Sequence, residues 1–337
     1  MRLLFDLISI VPFIMVVAYV LMDVYRKNPD VDHTKKFKIR RAINWVPLGL
    51  TYAFLYMGRY NLTVSKNALG DLMTKEDFGI IFAAGTITYA ISFLINGPLT
   101  DRIGGKKAIL IGATGAAIAN ILMGVVTYGI LVNSWAMNLT VILSILYSLN
   151  MYFQSYGAVA IVKVNASWFH VRERGVFGGI FGILISLGIY FAFDWGFSIV
   201  NATKAVVSTD LGFFPMILRD ILGIAGGTVD QTWWVFFIPA VILVVFVIID
   251  LFVLKDTPGQ AGFKDFYTAD ASAGEEDKPF NLKEILKKIL TNKIILTIAL
   301  IEFCTGVLRN GVMHWYPIYL KDFMHLGSDA FMRQNWG

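Results

Sequence analysis

The sequence predicts an all-α protein that crosses a membrane several times. Of the 337 residues, 56% are hydrophobic and only 16% are charged, whereas soluble domains are about 45–50% apolar and about 25% charged. A protein core cannot bury so much apolar surface unless lipid surrounds it as a second solvent. Backbone polar groups must be satisfied inside lipid, and the ten-residue alternating segments of a membrane barrel are absent, so the spans are predicted to be helices.

Eight stretches are long and apolar enough to be spanning helices, which need about 20 residues each. We number them span 0 to span 7, and they cover about residues 3–23, 43–65, 78–99, 108–131, 139–162, 176–196, 232–254 and 294–320. Span 0 has the position of a signal peptide. It carries Asp6 and Pro12 and no small-residue cleavage site follows it, which favours a retained helix.

The lysines and arginines predict the orientation of the spans. Of the 29, 19 fall in the loops after spans 0, 2, 4 and 6, and 7 fall in the other loops and ends. Cytoplasmic loops carry the excess of basic residues, so we expect an inner (plasma) membrane protein with residues 255–293 in the cytoplasm. The three remaining residues, Arg59, Lys163 and Arg309, lie within spans or at their edges.

The sequence contains no signature of an enzyme. A single cysteine, Cys304, excludes an internal disulfide and a cysteine-rich metal site. A nucleotide-binding phosphate loop, a dinucleotide-binding fingerprint and a zinc-protease motif are absent from the sequence. The basic residues lie in short loops between apolar runs, which does not indicate nucleic acid. We predict no catalytic residue, metal, cofactor or nucleic-acid partner, and the lipid bilayer as the surroundings.

The segment GPLTDRIGGKKAIL follows span 2 and begins at Gly97. It reads as a tight cytoplasmic turn, with glycines for the bend, a carboxylate against a helix end or a basic partner, and a basic cluster that stays inside. An ordinary positively charged loop is the simpler interpretation. The order of residues resembles the signature loop of the major facilitator superfamily, whose positions here are Gly97, Asp101, Arg102, Gly104 and Lys106.

The resemblance implies two six-helix bundles, each with 3+3 inverted repeats, and a substrate site between them near the midplane. On this scheme residues 1–42 form an extra N-terminal helix and a basic cytoplasmic segment, and 43–254 form the first bundle. Residues 255–293 are the cytoplasmic inter-bundle linker, in which 282–290 reads as a short amphipathic helix. Residues 294–337 hold the first helix of a second bundle, which we expect to be incomplete in this sequence.

Arg59 and Arg309 are unusual because an arginine at the centre of a spanning helix costs at least about 2.5–3.5 kcal/mol. Arg59 could snorkel to the outer surface, but Arg309 lies deeper in its span. If spans 1 and 7 are equivalent members of two repeats, the two guanidinium groups face each other, and an anion between them would relieve their repulsion. One guanidinium group can donate two parallel hydrogen bonds to two oxygens of a phosphate or a carboxylate. The pattern therefore predicts an anion site, most naturally for phosphate.

Three segments resemble the organophosphate:phosphate antiporters, the family of bacterial glycerol-3-phosphate and hexose-phosphate transporters. Tyr52, Tyr56 and Arg59 have the spacing of one helical face in span 1. The other two segments are VLRNGVMHWYPIYLKDF at 307–323 and FQSYGAVAIVKVNASWFHVRERG at 153–175. The resemblance implies that the arginine binds the phosphoryl group and that the two tyrosines line the site.

The chain departs from that family's pattern at several positions. Ile185 stands in place of a histidine, Phe93 in place of a lysine, Gly306 in place of a tyrosine and His314 in place of an acid. Lys163 takes the place of a family arginine and is either a substrate contact or a snorkelling anchor. The class of substrate follows from the resemblance, but the identity of the organic part does not.

Glu302 and His314 are candidates for coupling. Glu302 lies seven residues before Arg309, on the same helical face, where it either pairs with that arginine, packs at a helix interface or takes up a proton. His314 is either a coupling group or part of an interfacial aromatic pair with Trp315. Asn150 and Gln154 are predicted to form interhelical hydrogen bonds.

The resemblance implies a secondary transporter that exchanges a sugar phosphate or glycerol phosphate for inorganic phosphate, by alternating access around the two arginines. Three alternatives remain open at this stage. One is a membrane sensor of sugar phosphate that reports to a kinase partner. Another is a proton-coupled carrier of a different small organic anion, and the last is a fragment without function.

Overall fold

The chain is represented by a computed structural model that describes residues 11–25, 33–206, 211–269, 287 and 289–326. Every long regular element within these ranges is helical. The chain divides into two compact units, Met1–Thr268 and Ala269–Gly337.

Among the described residues, the first unit contains nine α-helices. They are α1 (Val11–Tyr25), α2 (Lys35–Leu69), α3 (Lys75–Ile103), α4 (Gly105–Val132), α5 (Leu139–Trp168), α6 (Arg174–Tyr190), α7 (Gly196–Ala202), α8 (Phe213–Ile221) and α9 (Trp234–Val253). A π-helical turn, Phe191–Trp195, joins α6 to α7. The extra helix α1 packs against α2 and α6.

Five helices of the described chain are long and apolar enough to cross a membrane, judged by length and composition. They are Lys75–Ile103, Gly105–Val132, Phe181–Ala202, Trp234–Val253 and Lys293–Asp322. The sequence also predicts α2 and α5 as spans, but these two helices carry more polar side chains and fall outside this group. The helix α2 is largely buried: 24 of its 35 residues are buried, whereas α3 buries 6 of 29.

The helix α2 begins much earlier than span 1 was expected to begin. Thr34 caps it by accepting a hydrogen bond from the backbone N–H of Phe37, at 3.3 Å. The expected basic loop 24–42 is therefore helical from Lys35 onward. Arg41 is 1% exposed and donates to Glu173 Oε2 at 3.0 Å, so a partner 132 residues later stabilises the buried charge.

Small residues let α4 and α5 approach closely. A Cβ added to Gly112 would lie 2.9 Å from the backbone oxygen of Phe153, and Gly115 faces the Phe153 ring. Such close approach is what small residues provide in membrane helix pairs.

We expect Gly112→Val to destabilise the bundle by about 1–3 kcal/mol or more, because a backbone atom opposes the new side chain. Thermal unfolding of the detergent-solubilised protein measures this loss. Gly182→Val is the matched control, since a Cβ added there meets no described atom within 4 Å. Equal stability of the two variants would contradict the expected contact.

The second unit is described here by itself. It contains α10 (Lys293–Asn310), a π-helical turn (Gly311–Trp315) and α11 (Tyr316–Asp322), so span 7 begins and ends close to its expected bounds. The predicted amphipathic helix at 282–290 lies largely outside the described residues.

Candidate functional site

The helix α2 presents Tyr52, Tyr56 and Arg59 at the spacing of one face, and the structure brings them together. The guanidinium carbon of Arg59 lies 4.9 Å from the ring centre of Tyr56 and 4.3 Å from that of Tyr89 on α3. The Nε of Arg59 donates to Gln154 Oε1 on α5 at 3.0 Å. Two aromatic faces and one amide therefore fix the guanidinium group.

The positive charge of Arg59 has no carboxylate partner within the described residues. The ion pairs there involve His33, Arg41 and Lys163. The two terminal nitrogens of Arg59 also have no hydrogen bond in this part of the chain, since Nε alone is used. Ring faces stabilise a cation only modestly, by about 0.5–2 kcal/mol, so the terminal nitrogens are available to bind an anion.

A relay of buried amides holds Gln154 in one orientation. Because Gln154 Oε1 accepts from Arg59, its Nε2 donates, and it does so to Asn150 Oδ1 at 3.2 Å. The Nδ2 of Asn150 then donates to Gly58 O at 3.0 Å. Asn120 on α4 donates to the same Asn150 oxygen at 3.1 Å and receives a hydrogen bond from Asn61.

These amides are 0–2% exposed, so water cannot reach them. Their hydrogen bonds to one another satisfy polar groups that would otherwise be buried without a partner. The prediction that Asn150 and Gln154 form interhelical hydrogen bonds is confirmed. Their role as the support of Arg59 was not foreseen.

The two tyrosines extend the site along α2. Their hydroxyl oxygens lie 3.5 Å apart, and the ring of Tyr52 stacks on Phe181 of α6 at 5.3 Å. Tyr147 on α5 donates to the backbone oxygen of Arg59 at 3.3 Å. The site is thus built by four helices of the first unit: α2, α3, α5 and α6.

Lys163 is not brought to this cluster. It lies nine residues after Gln154 on α5, about 13.5 Å along the helix axis. Its Nζ pairs with Asp101 Oδ1 at 3.0 Å, and both side chains are well exposed, at 44% and 67%. The contact supplies the basic partner expected for the signature-loop carboxylate, and a substrate role for Lys163 stays a prediction.

The signature loop turns at Gly104, whose φ of 88° favours glycine. Gly97, Asp101 and Arg102 lie within α3 instead, so Gly97 does not form part of the bend. The backbone N–H of Lys106 donates to Asp256 Oδ1 at 2.7 Å. This carboxylate, which follows α9, stabilises the N-terminus of α4 and was not anticipated from the sequence.

In the second unit, Arg309 and Glu302 are both exposed on α10. Within residues 289–326 no ion pair joins them; seven residues separate them, which is about 10.5 Å along the axis. His314 is 2% exposed and lies in the π-helical turn, whereas Trp315 is 42% exposed. An interfacial position therefore fits Trp315 and not the histidine side chain.

Comparison with known proteins places the chain in a family. The family described as Major Facilitator Superfamily matches residues 48–333. The chain is 25% identical over 317 residues to a glycerol-3-phosphate transporter of Bacillus subtilis, covering 90% of this chain and 64% of that protein. It is 26% identical over 314 residues to a probable hexose phosphate transport protein of Chlamydia trachomatis, covering 86% and 59%.

A third relative is the membrane sensor protein UhpC of Salmonella typhimurium, 23% identical over 302 residues, with 87% of this chain and 59% of that protein covered. The chain therefore spans less than two thirds of the length of these relatives. Their names are those of transporters and a sensor, which confirms that the chain is not an enzyme and that it resembles the organophosphate:phosphate antiporters. Together with the apolar helices, the family match over most of the chain establishes that this multi-pass membrane protein belongs to the Major Facilitator Superfamily.

Proposed function

We propose that the chain carries the anion-binding site of a transporter that exchanges a phosphorylated organic anion for inorganic phosphate. The observation that carries this proposal is Arg59, a guanidinium group fixed by Tyr56, Tyr89 and Gln154, whose two terminal nitrogens have no hydrogen bond among the described residues. The names of the relatives, a glycerol-3-phosphate transporter and a probable hexose phosphate transport protein, support the same class of substrate.

The geometry suits a phosphoryl group for a physical reason. Two terminal N–H groups of one guanidinium can donate to two phosphoryl oxygens at once, and the nearby Tyr52 and Tyr56 hydroxyls can donate to a third. Because Gln154 accepts from Nε, the N–H groups of the terminal nitrogens stay available to a ligand. The organic part of the substrate would then extend beyond this cluster.

Several further features of the proposal rest on the sequence alone. These are a second guanidinium from Arg309, coupling through Glu302 or His314, substrate contact by Lys163, an inner-membrane location and residues 255–293 as a cytoplasmic linker. The domain boundaries at 42, 254 and 293 also rest on the sequence. Alternating access around the two arginines would then move the bound anion across the membrane.

The test is phosphate exchange in liposomes. They are reconstituted with the protein encoded by the full reading frame that contains this chain. The vesicles are loaded with unlabelled phosphate, and entry of labelled phosphate, glycerol 3-phosphate or glucose 6-phosphate is followed. We expect entry that depends on internal phosphate and persists when an ionophore removes the proton gradient. Entry that needs the proton gradient but not internal phosphate would instead support a proton-coupled carrier.

A sensor of sugar phosphate is the second candidate, and the match to UhpC favours it. A sensor would bind sugar phosphate with high affinity while moving little phosphate. Binding of labelled glucose 6-phosphate to the purified protein, measured beside the exchange assay, separates the two functions.

We expect Gln154→Glu to weaken anion binding roughly tenfold or more, because the new carboxylate forms a charge-assisted hydrogen bond with Arg59 and competes with the ligand. Binding of labelled phosphate at equilibrium measures this loss. Gln231→Glu is the matched control, since Gln231 accepts from Trp234 Nε1 in a loop and a glutamate can do the same. Unchanged affinity of Gln154→Glu would contradict the assigned role of Gln154.

A further inference from the structure

The nine-residue helix α8 exposes most of its apolar side chains, together with Asp220, and buries its basic residue. Phe213, Ile217 and Ile221 recur at four-residue spacing and are 62%, 38% and 74% exposed. Phe214 and Met216 flank them and are also exposed. A helix on the surface of a soluble domain has the opposite arrangement.

Arg219 lies on the opposite side of α8 and ties it to the end of α7. It is 8% exposed, and its Nη1 donates to Ala202 O at 2.9 Å and Lys204 O at 2.8 Å. Because the guanidinium group faces the bundle, the apolar side is forced outward. The two hydrogen bonds of Arg219 therefore fix the orientation of α8.

The depth of α8 can be read from its neighbours. The ring of Phe214 lies 5.8 Å from that of Trp195, and Trp195 precedes the end of the apolar helix Phe181–Ala202 by seven residues, which is about 10.5 Å. The N-terminal end of α8 therefore descends beside the outer part of a spanning helix.

Aromatic residues at the same end of the bundle mark a membrane–water boundary. The Tyr128 and Trp233 rings meet at 4.9 Å near the end of α4 and the start of α9. The N–H of Gln231 donates to Thr203 O at 2.9 Å, which places the start of α9 beside the end of α7. Tyrosine and tryptophan are enriched at this level of a membrane.

We propose that α8 lies in the membrane interface on the side that the basic residues predict to be outside, with its apolar face in the lipid. The partner is the bilayer, since α8 lies beside the outer part of Phe181–Ala202, a helix long and apolar enough to cross a membrane. Interfacial helices bury an apolar face about 5–10 Å into the boundary between headgroups and acyl chains, which agrees with the depth of Phe214. This inference does not depend on the transported substrate.

The experiment uses single cysteines on a Cys304→Ser background, which leaves no other cysteine in the chain. Cysteine is placed at Ile217 or Ile221 and labelled with a nitroxide after reconstitution into phosphatidylcholine vesicles. Collision with oxygen, which concentrates in lipid, is compared with collision with a water-soluble nickel complex. The matched control is Val229→Cys, an exposed apolar position in the loop before α9.

We expect the labels at Ile217 and Ile221 to collide several-fold more with oxygen than with the nickel complex, and the label at Val229 to show the reverse. High nickel accessibility at both α8 positions would overturn the proposal by placing the face in water. Shielding from both reagents would also overturn it, because protein would then cover the face. Loss of that shielding on dilution with excess lipid would identify a second copy of the chain as the cover.

Discussion

Replacing Arg59 by lysine is expected to reduce phosphate exchange at least tenfold while leaving the folded protein at its usual yield. A lysine keeps the charge but cannot donate to two phosphoryl oxygens in the planar geometry of a guanidinium group. Losing one hydrogen bond to a charged group costs about 1.5–3 kcal/mol, which weakens binding roughly 10- to 150-fold. The liposome exchange assay measures the loss.

The matched control for this substitution is Arg172→Lys, which makes the same exchange of side chains at an exposed position. Its exchange activity should equal that of the unchanged protein. Full activity of Arg59→Lys would show that the geometry of the guanidinium group is unimportant, and the proposed anion site would then be wrong. Arg309→Lys tests the second predicted arginine in the same way.

The second large effect is expected from Glu173→Ala, which removes the partner of a buried charge. Glu173 Oε2 accepts from Arg41 Nη1 at 3.0 Å and from His170 N at 3.2 Å, and it lies 3.5 Å from His33 Nε2. Without the carboxylate, the nearly inaccessible Arg41 keeps its charge. Breaking a buried pair in this way costs about 3–5 kcal/mol, which thermal unfolding in detergent would detect.

The matched control is Asp101→Ala, which breaks the exposed pair with Lys163. Exposed ion pairs contribute about 0–1 kcal/mol, so this variant should unfold near the temperature of the unchanged protein. If Glu173→Ala were as mild as Asp101→Ala, the cluster around Arg41 would not stabilise the bundle.

The Glu173 cluster also predicts a dependence of stability on pH. Burial raises the pKa of Glu173, but the His33 hydrogen bond, the Arg41 charge and the His170 amide outweigh burial and lower that pKa to about 2. A carboxyl group with a lowered pKa stabilises the folded state above its ordinary pKa, about 4.3, and this stabilisation is lost as the pH falls toward 2. The difference in unfolding temperature between the unchanged protein and Glu173→Ala should therefore shrink across that interval.

The sequence predicted the apolar helices well because a helix that spans lipid needs about 20 mostly apolar residues in a row. Such a run is recognised from composition alone. Helices α3, α4 and α9 begin and end within a few residues of the expected bounds, and the tyrosines and arginine of α2 share a face as their spacing requires. The signature loop also turns where two adjacent glycines occur. In each case the signal is local, since it depends on residues close together in the chain.

The remaining features depend on contacts between distant residues. Nothing near Arg41 in the sequence indicates that Glu173 will neutralise it, so the early start of α2 was missed. The support of Arg59 by Gln154 and Tyr89 has the same origin, because three separate helices must pack before these side chains meet. The helix α8 was missed for another reason: nine residues are too few to give a clear periodic signal between two spans.

The segment that follows α9 sets a practical limit on how the protein can be divided. Lys255 O accepts from Asn44 Nδ2 and Trp168 Nε1, and Asp256 holds the start of α4. Farther on, Phe263 and Phe266 pack against Phe37. A shortened protein that stops at the end of α9 would leave these groups without partners, so an isolated first bundle should retain the chain through Thr268.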